Sequence, residues 1–225
     1  MRLFQLEQYL AKLEANRDSD LRFCQLLEAL MEGLFLKDEN YPCHSIESRP
    51  KSLLSAREKI QRKGYENPDE EMVDLIGLRI IMYYDSHVDY VVGVLRRELT
   101  VVEEHTEDKR SAGGGKPDGY RSYHVVARLN GTRATLPEWG DFPNRLFEIQ
   151  VRSILAHAWA AIDHSMEYKR AGKISPASKA LLRTIASNLR EADERFNELR
   201  DLEDMNRSAG ALNPVSERYW WETER

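Results

Sequence analysis

The feature that most constrains this fold is a nearly continuous run of apolar, often β-branched residues from Ile76 to Tyr84. Such a run is typical of a strand that is covered on both faces, because a strand with one solvated face alternates apolar and polar residues. The chain therefore needs layers of structure on either side of a sheet. Its 225 residues suffice for one domain with a sizeable core, or for such a core with an appended helical arm.

A second strand, predicted at residues 145–152, has a different pattern. Three apolar residues alternate with three polar ones, namely Phe147, Ile149 and Val151 with Glu148, Gln150 and Arg152. The alternation gives this strand one apolar face and one face that carries a carboxylate, an amide and a guanidinium. This polar face is a candidate site.

Two carboxylates stand at or near these strands. Asp74 lies just before the central strand, so it could meet Glu148 in space. Two converging carboxylates can hold Mg²⁺ between nucleotide phosphates, or one can hold the ion while the other accepts a proton. The simpler interpretation of each is a surface charge or a salt bridge to Arg79 or Arg152. The residues alone leave both interpretations open.

Periodicity predicts the remaining elements. Strands are expected at 44–49, 101–106 and 120–129, and helices at 53–63, 88–99, 153–168 and from Pro176 through Leu199. Two amphipathic helices are expected before residue 38. We therefore predict an α/β or α+β fold with a mixed sheet of about five strands flanked by helices. The apolar faces of the terminal helices exceed what one core can cover, which predicts a homo-oligomer.

Composition excludes several classes of protein. With 33 basic and 38 acidic residues, the net charge of -5 does not fit a protein that coats duplex nucleic acid, so any affinity for phosphate must be local. Cys24 and Cys43 are too few for a disulfide framework and have no metal-ligand spacing, which fits a reducing compartment. No apolar run reaches bilayer length. We expect a cytoplasmic protein without a membrane partner.

Residues 49–63 carry six basic side chains and one acidic one. On a helix, Ser55, Lys59 and Arg62 share one face, with Arg49 and Lys51 at its N-terminal approach. The free N–H groups and the positive dipole end of a helix start suit a polyphosphate. A solvated basic face is the competing interpretation, and on this segment alone the two are equally supported.

A glycine-rich segment between residues 107 and 119 predicts a mobile loop. The cations that flank it are Lys109, Lys116, Arg121 and Arg128, and Tyr120 and Tyr123 lie at its exit. Such a loop suits closure over a second nucleotide, with a ring that stacks on a base for about 1–3 kcal/mol. The alternative is a surface hairpin with strand tyrosines and with His124 as an ordinary strand histidine. His157 and His164 lack a third ligand at metal spacing, so the pattern does not support zinc.

Taken together, four motifs resemble, in order, those of the synthetase domain of the RelA/SpoT family. They are the basic helix, residues 74–79, residues 119–124, and residues 148–152 followed by His157-Ala158-Trp159. The resemblance covers residues 44–170, with helical extensions at 1–40 and 171–225, and implies a nucleotidyltransferase-like fold. Like the stand-alone small alarmone synthetases of this family, the chain would use Mg²⁺ to transfer the β,γ-pyrophosphate of ATP to the 3′-hydroxyl of GDP or GTP, and would lack hydrolase activity.

The resemblance also implies roles for individual residues. The expected ATP ligands are Arg49, Lys51, Ser55, Lys59, Arg62 and Arg79. Asp74 would ligate Mg²⁺, and Glu148 would ligate or neighbour the metal and activate the attacking hydroxyl. The expected acceptor-nucleotide residues are Lys109, Lys116, Tyr120, His124 and Arg128, with Gln150 and His157 as further pocket residues.

One departure from the family pattern concerns the acceptor. The family commonly has Asn before the Gly-Tyr pair of the loop, where this chain has Asp118. A carboxylate near the acceptor's phosphates weakens anion binding unless it points away. Some small family members instead modify the 3′-end of tRNA or adenosine nucleotides, so these acceptors remain alternatives. An inactive nucleotide-binding regulator is a second alternative.

Overall fold

The computed structural model of the protein describes residues 3–110, 122–169 and 175–209. Its helices are α1 (Leu3–Ala15), α2 (Arg17–Phe35), α3 (Leu53–Lys63), α4 (Pro68–Glu71), α5 (Val88–Glu98), α6 (Gly131–Ala134), α7 (Ile154–Lys169) and α8 (Pro176–Ala209). Its strands are β1 (Cys43–Pro50), β2 (Ile76–Met82), β3 (Leu99–Val101), β4 (Glu107–Asp108), β5 (Tyr123–Leu129) and β6 (Phe147–Ser153). Among the described helices, none combines the length and hydrophobicity that crossing a membrane requires.

The strands form one mixed sheet in the order β1-β2-β6-β5-β3, and β4 pairs with β5 beside β3. The β2 and β6 pair is parallel, and the other pairs are antiparallel. The predicted mixed fold class is confirmed, with six strands instead of about five. The strand predicted at 101–106 was wrong: after β3 the chain turns, and the hydroxyl of Thr106 donates to the carbonyl of Val102 at 2.9 Å, which closes the turn.

One face of the sheet packs on the main hydrophobic core, which α2 and α5 complete. The strand residues of this core include Ile76, Leu78, Ile80, Met82, Val125, Ala127, Phe147, Ile149 and Val151. The run that began at Ile76 is therefore buried on this face. On its opposite face Ile81 is also buried, whereas Gly77 and Arg79 line an open cavity. The expected burial on both faces thus holds only toward the end of β2.

Helix α1 holds α3 in place. Leu6, Tyr9 and Leu10 of α1 form a second apolar cluster with Ala56 and Ile60 of α3. Because these apolar residues occupy one side of α3, its basic and hydroxyl side chains are left for the sheet edge and the solvent. The C-terminal helices α7 and α8 form a separate pair, in which α7 contacts β2 and β6 and α8 packs on α7.

Candidate active site

The polar face of the sheet is organised in rows that run across the strands. In one row Arg49 of β1, Gly77 of β2 and Glu148 of β6 are register partners. Glu47, Arg79 and Gln150 form the next row, which His124 of β5 extends. Gly77 places no side chain between Arg49 and Glu148, so the sheet forms the floor of a cavity of about 480 Å³ there.

Helix α3 presents its N-terminus to the same cavity. Ser52 caps the helix by accepting a hydrogen bond from the backbone N–H of Ser55 at 3.2 Å. Both serines line the cavity together with Lys51. The backbone of Lys51 is held by a 2.8 Å hydrogen bond to the carbonyl of Leu75. The cavity therefore combines a capped helix start with nearby cations, an arrangement that favours phosphate groups.

Asp74 is the carboxylate on this side of the cavity. Its Oδ2 atom lies 3.0 Å from the Lys51 ammonium and 2.7 Å from the Lys59 ammonium, whereas Oδ1 is buried without a hydrogen-bond partner. The alternative prediction of a salt bridge to Arg79 was wrong, since Arg79 lies beside Glu47 at 3.6 Å. A carboxylate oxygen with free lone pairs beside a cationic helix start suits Mg²⁺, which usually takes one or two carboxylates plus phosphates and waters.

Glu148 is held at both oxygens on the opposite side. His124 Nδ1 lies 3.0 Å from Oε1, and the amide nitrogen of Gln150 donates to Oε2 at 2.9 Å. Burial alone would raise the pKa of Glu148, but the hydrogen bonds and charges of His124, Gln150 and Lys109 outweigh it and lower that pKa to about 2. Because the carboxylate is ionised, it can only accept, so His124 carries its proton on Nδ1. Its Nε2 lies 2.8 Å from the Ser122 hydroxyl oxygen.

The hydrogen-bond chain continues along β6. Arg152 donates to the amide oxygen of Gln150 at 2.8 Å, which fixes the amide so that its nitrogen faces Glu148. The alternating pattern of this strand puts all three residues on one face, as the sequence indicated. Arg152 is only 6% exposed, its Nε has no hydrogen-bond partner, and burial together with Arg79 lowers its pKa to about 10. The alternative interpretation of Glu148, a direct salt bridge to Arg152, was wrong, because Gln150 lies between them.

The structure brings most of the predicted site residues together. Those that line the cavity are Arg49, Lys51, Ser55, Asp74, Arg79, Glu148 and Gln150. Lys59 is connected to this group by its salt bridge to Asp74, and His124 by its contact with Glu148. Lys109 lies next to His124, with 3.3 Å between the Lys109 nitrogen and His124 Nδ1.

Other predicted residues lie apart from this cavity. Arg62 is exposed near the end of α3, and Arg128 is exposed on β5. His157 is not part of the cavity wall, and burial together with Arg152 lowers its pKa. Lys116 and Tyr120 lie outside the described residues, as does Asp118.

Three titratable residues of the cavity wall were not predicted from the sequence, namely Arg17, Glu47 and His164. Arg17 is the first residue of α2, just after the break between the two N-terminal helices, where hydrophobic periodicity gives no information about side-chain direction. Glu47 shares the alternating face of β1 with Arg49, so its position could have been found by extending that alternation.

Comparisons with known proteins identify the family. A family model described as "Region found in RelA / SpoT proteins" matches residues 48–173. The chain is 31% identical over 170 residues to GTP pyrophosphokinase YjbM of Bacillus subtilis (strain 168), which covers 73% of this chain and 75% of that protein. The crystal structure of small alarmone synthetase 1 from Bacillus subtilis matches with a TM-score of 0.74 and 28% identity, over 86% of this chain and 98% of that one.

A further crystal structure, of small alarmone synthetase 1 from Bacillus subtilis bound to its product pppGpp, is also similar to this chain. It matches with a TM-score of 0.68 and 28% identity, and covers 88% of this chain and 97% of that one. The family-model match includes the basic helix, Asp74 and the strand of Glu148. The chain therefore belongs to the RelA/SpoT family.

Proposed function

We propose that the protein is a (p)ppGpp synthetase that transfers the β,γ-pyrophosphate of ATP to the 3′-hydroxyl of GDP or GTP. The observation that carries this proposal is the joining of a cationic helix start and an ionised Glu148 across one cavity. A polyphosphate would occupy the side formed by Arg49, Lys51 and Ser55. Relatives that are named GTP pyrophosphokinase, and a structural neighbour that holds pppGpp, support the same reaction.

In this reaction the acceptor's 3′-oxygen forms a bond to the β-phosphorus of ATP while the bond from that phosphorus to the bridging α,β-oxygen breaks and AMP leaves. Transition states of this type are loose, so orientation and charge neutralisation matter more than early deprotonation of the hydroxyl. This requirement fits a carboxylate with a pKa of about 2. Glu148 would orient the hydroxyl and take its proton late, and Lys51, Lys59 and Arg79 would neutralise phosphate charge.

We further propose that Asp74 would hold Mg²⁺ beside the phosphates of ATP. The bound ion would supply neutralisation of the phosphates. The buried, unpaired Oδ1 of Asp74 supports this assignment. Because Glu148 already accepts two hydrogen bonds, we assign it to the hydroxyl in preference to the ion. Asp74→Asn should therefore remove the dependence of ATP binding on Mg²⁺, and an unchanged dependence would contradict the assignment.

The test of the proposed function is a transfer assay. The protein would be incubated with Mg²⁺ and ATP labelled with ³²P at the γ-phosphate, and GDP, GTP, unlabelled ATP and bulk tRNA would be offered in separate reactions. We expect label on GDP or GTP. Label on tRNA or an adenosine nucleotide would change the acceptor, and ATP and GDP binding without any transfer would support the inactive regulator instead.

The remaining proposals concern the setting of the enzyme. We propose that it works in the cytoplasm, where ATP and GTP are supplied and where its free thiols, Cys24 and Cys43, stay reduced. We also propose that it is a homo-oligomer. Helix α8 supports this proposal, because it exposes Leu181, Phe196, Leu199, Leu202 and Met205, each with 48–62% of its surface accessible.

A further inference from the structure

Arg17 is the one cation of the cavity wall that comes from the N-terminal helices. It is the first residue of α2, is half-buried, and lines the cavity with Arg49 and Lys51. One nitrogen of its guanidinium donates to the backbone carbonyl of Lys51 at 3.2 Å. The contact sets Arg17 against the turn that leads into α3, where the phosphate-binding helix start begins.

The electrostatic setting of Arg17 differs from that of its neighbours on the N-terminal helices. Arg22 pairs with Asp141 at 3.0 Å, and Lys12 pairs with Asp69 at 2.6 Å. Arg17 has no carboxylate oxygen within 4.0 Å among residues 3–110, 122–169 and 175–209. A guanidinium has five N–H donors, and one carbonyl satisfies only one of them. Within the described part of the chain no acceptor occupies the other donors, so they can bind an anion in the cavity.

We propose that Arg17 is a direct ligand of the donor nucleotide's phosphates, an inference that rests on the proposed function. The planar guanidinium can give two parallel hydrogen bonds to one phosphate, which a lysine cannot do. One guanidinium nitrogen would keep its hydrogen bond to the Lys51 carbonyl while the other nitrogens bind the phosphates. The phosphates would then contact both the start of α3 and the N-terminal helices. In this arrangement the N-terminal helices form part of the substrate site.

The experiment measures binding of α,β-methylene ATP with Mg²⁺ by titration calorimetry, without any acceptor. Arg17→Gln should weaken binding about 10-fold or more, as expected when a hydrogen bond to a charged group is lost. Arg17→Lys should recover only part of the affinity. The matched control is Arg22→Gln on the same helix, since its partner Asp141 lies outside the cavity wall. Adenosine should bind all variants equally.

Two results would overturn the inference. One is a dissociation constant for α,β-methylene ATP within twofold of wild type in Arg17→Gln. The other is an equal loss of adenosine binding, which would mean that the change acts on the cavity's shape and not on phosphate. Because the titration contains no acceptor, it is independent of the transfer assay. If the transfer assay gives no product while Arg17→Gln still weakens the binding of α,β-methylene ATP, the proposed function is refuted and the inference about Arg17 stands.

Discussion

At the scale of single residues, Glu148 is notable because both of its oxygens are hydrogen-bonded, Oε1 to His124 and Oε2 to Gln150. His124 and Gln150 stabilise the ionised form, so the carboxylate is ready to accept a hydroxyl proton throughout the neutral pH range. Removing its negative charge should therefore affect the chemical step more than substrate binding, whose cations lie across the cavity.

Glu148→Gln should lower kcat by about 10²- to 10⁴-fold, the usual contribution of a general base. The KM for ATP should change by only a few fold, and the melting temperature should stay close to that of wild type because glutamine has nearly the same shape. Steady-state kinetics and a thermal melt measure all three values. A kcat near the wild-type value would remove Glu148 from the mechanism.

Arg152 tests whether the hydrogen-bond chain serves activity. It is buried, and its charge is costly to keep away from water, so Arg152→Met should raise the free energy of unfolding by roughly 1 kcal/mol. The same change frees the amide of Gln150 and should lower kcat about 10-fold with little effect on KM. Denaturant unfolding and kinetics should therefore move in opposite directions. A loss of stability in Arg152→Met, or an unchanged kcat, would contradict this prediction.

The sequence predicted the residue types of this site better than their partners. Alternation along β6 placed Glu148 and Gln150 on one polar face, because strand geometry fixes side-chain direction. It could not show that Asp74 meets two lysines, since that contact joins α3 to the turn before β2. Nor could it show Arg17, whose position depends on how α2 packs against the sheet.

At the scale of elements, the junction between β6 and α8 is held by a buried carboxyl. Ser153, at the end of β6, donates to Asp193 of α8 at 2.6 Å, and its oxygen also accepts from the backbone of Ala156 in α7. The other oxygen of Asp193 is buried without a partner. Burial, with a smaller effect of Asp85, raises the pKa of Asp193 to about 7.

This raised pKa predicts how stability changes with pH. The folded protein keeps a proton on Asp193 that the unfolded chain gives up near pH 4. Asp193 therefore contributes most to the free energy of unfolding below pH 4. Its contribution is lost as pH rises to about 7. Asn resembles the protonated acid, so Asp193→Asn should be more stable than wild type at pH 8, by ~1 kcal/mol or more, and should lose that advantage near pH 4. Urea unfolding at both pH values measures the difference. An advantage that does not depend on pH would contradict the prediction.

Elements with a long, regular pattern were predicted more accurately than short ones. The helix expected at 53–63 coincides with α3, because Ser52 caps its start and Gly64, with φ of 69°, ends it in the left-handed conformation that glycine favours. The strand expected at 101–106 was wrong. Its valines continue the apolar pattern, but the side chain of Thr106 competes for the backbone of Val102 and turns the chain.

At the scale of the whole molecule, the long helix α8 is only partly covered by the other residues that the structure describes. Its 34 residues span about 50 Å. It is anchored at several points: Ser153 contacts Asp193, and Ser86 and His87 contact Asn197 and Arg200. Between and beyond these contacts it exposes large apolar side chains. A helix with one anchored side and one exposed apolar side is suited to pairing with a second copy of itself.

The last prediction tests that pairing. Light scattering on wild-type protein should give a multiple of the 26.2 kDa chain mass, and the double change Phe196→Glu with Leu199→Glu should give the single-chain mass. These side chains are about half exposed, so the substitutions remove little internal packing and should leave the melting temperature of a dilute sample nearly unchanged. Leu136→Glu, on a comparably exposed residue elsewhere, is the matched control and should keep the wild-type mass. A single-chain mass for wild type at high concentration would contradict the prediction, as would an unchanged mass in the double variant. Since the cavity is built within one chain, the separated protein should retain binding of α,β-methylene ATP.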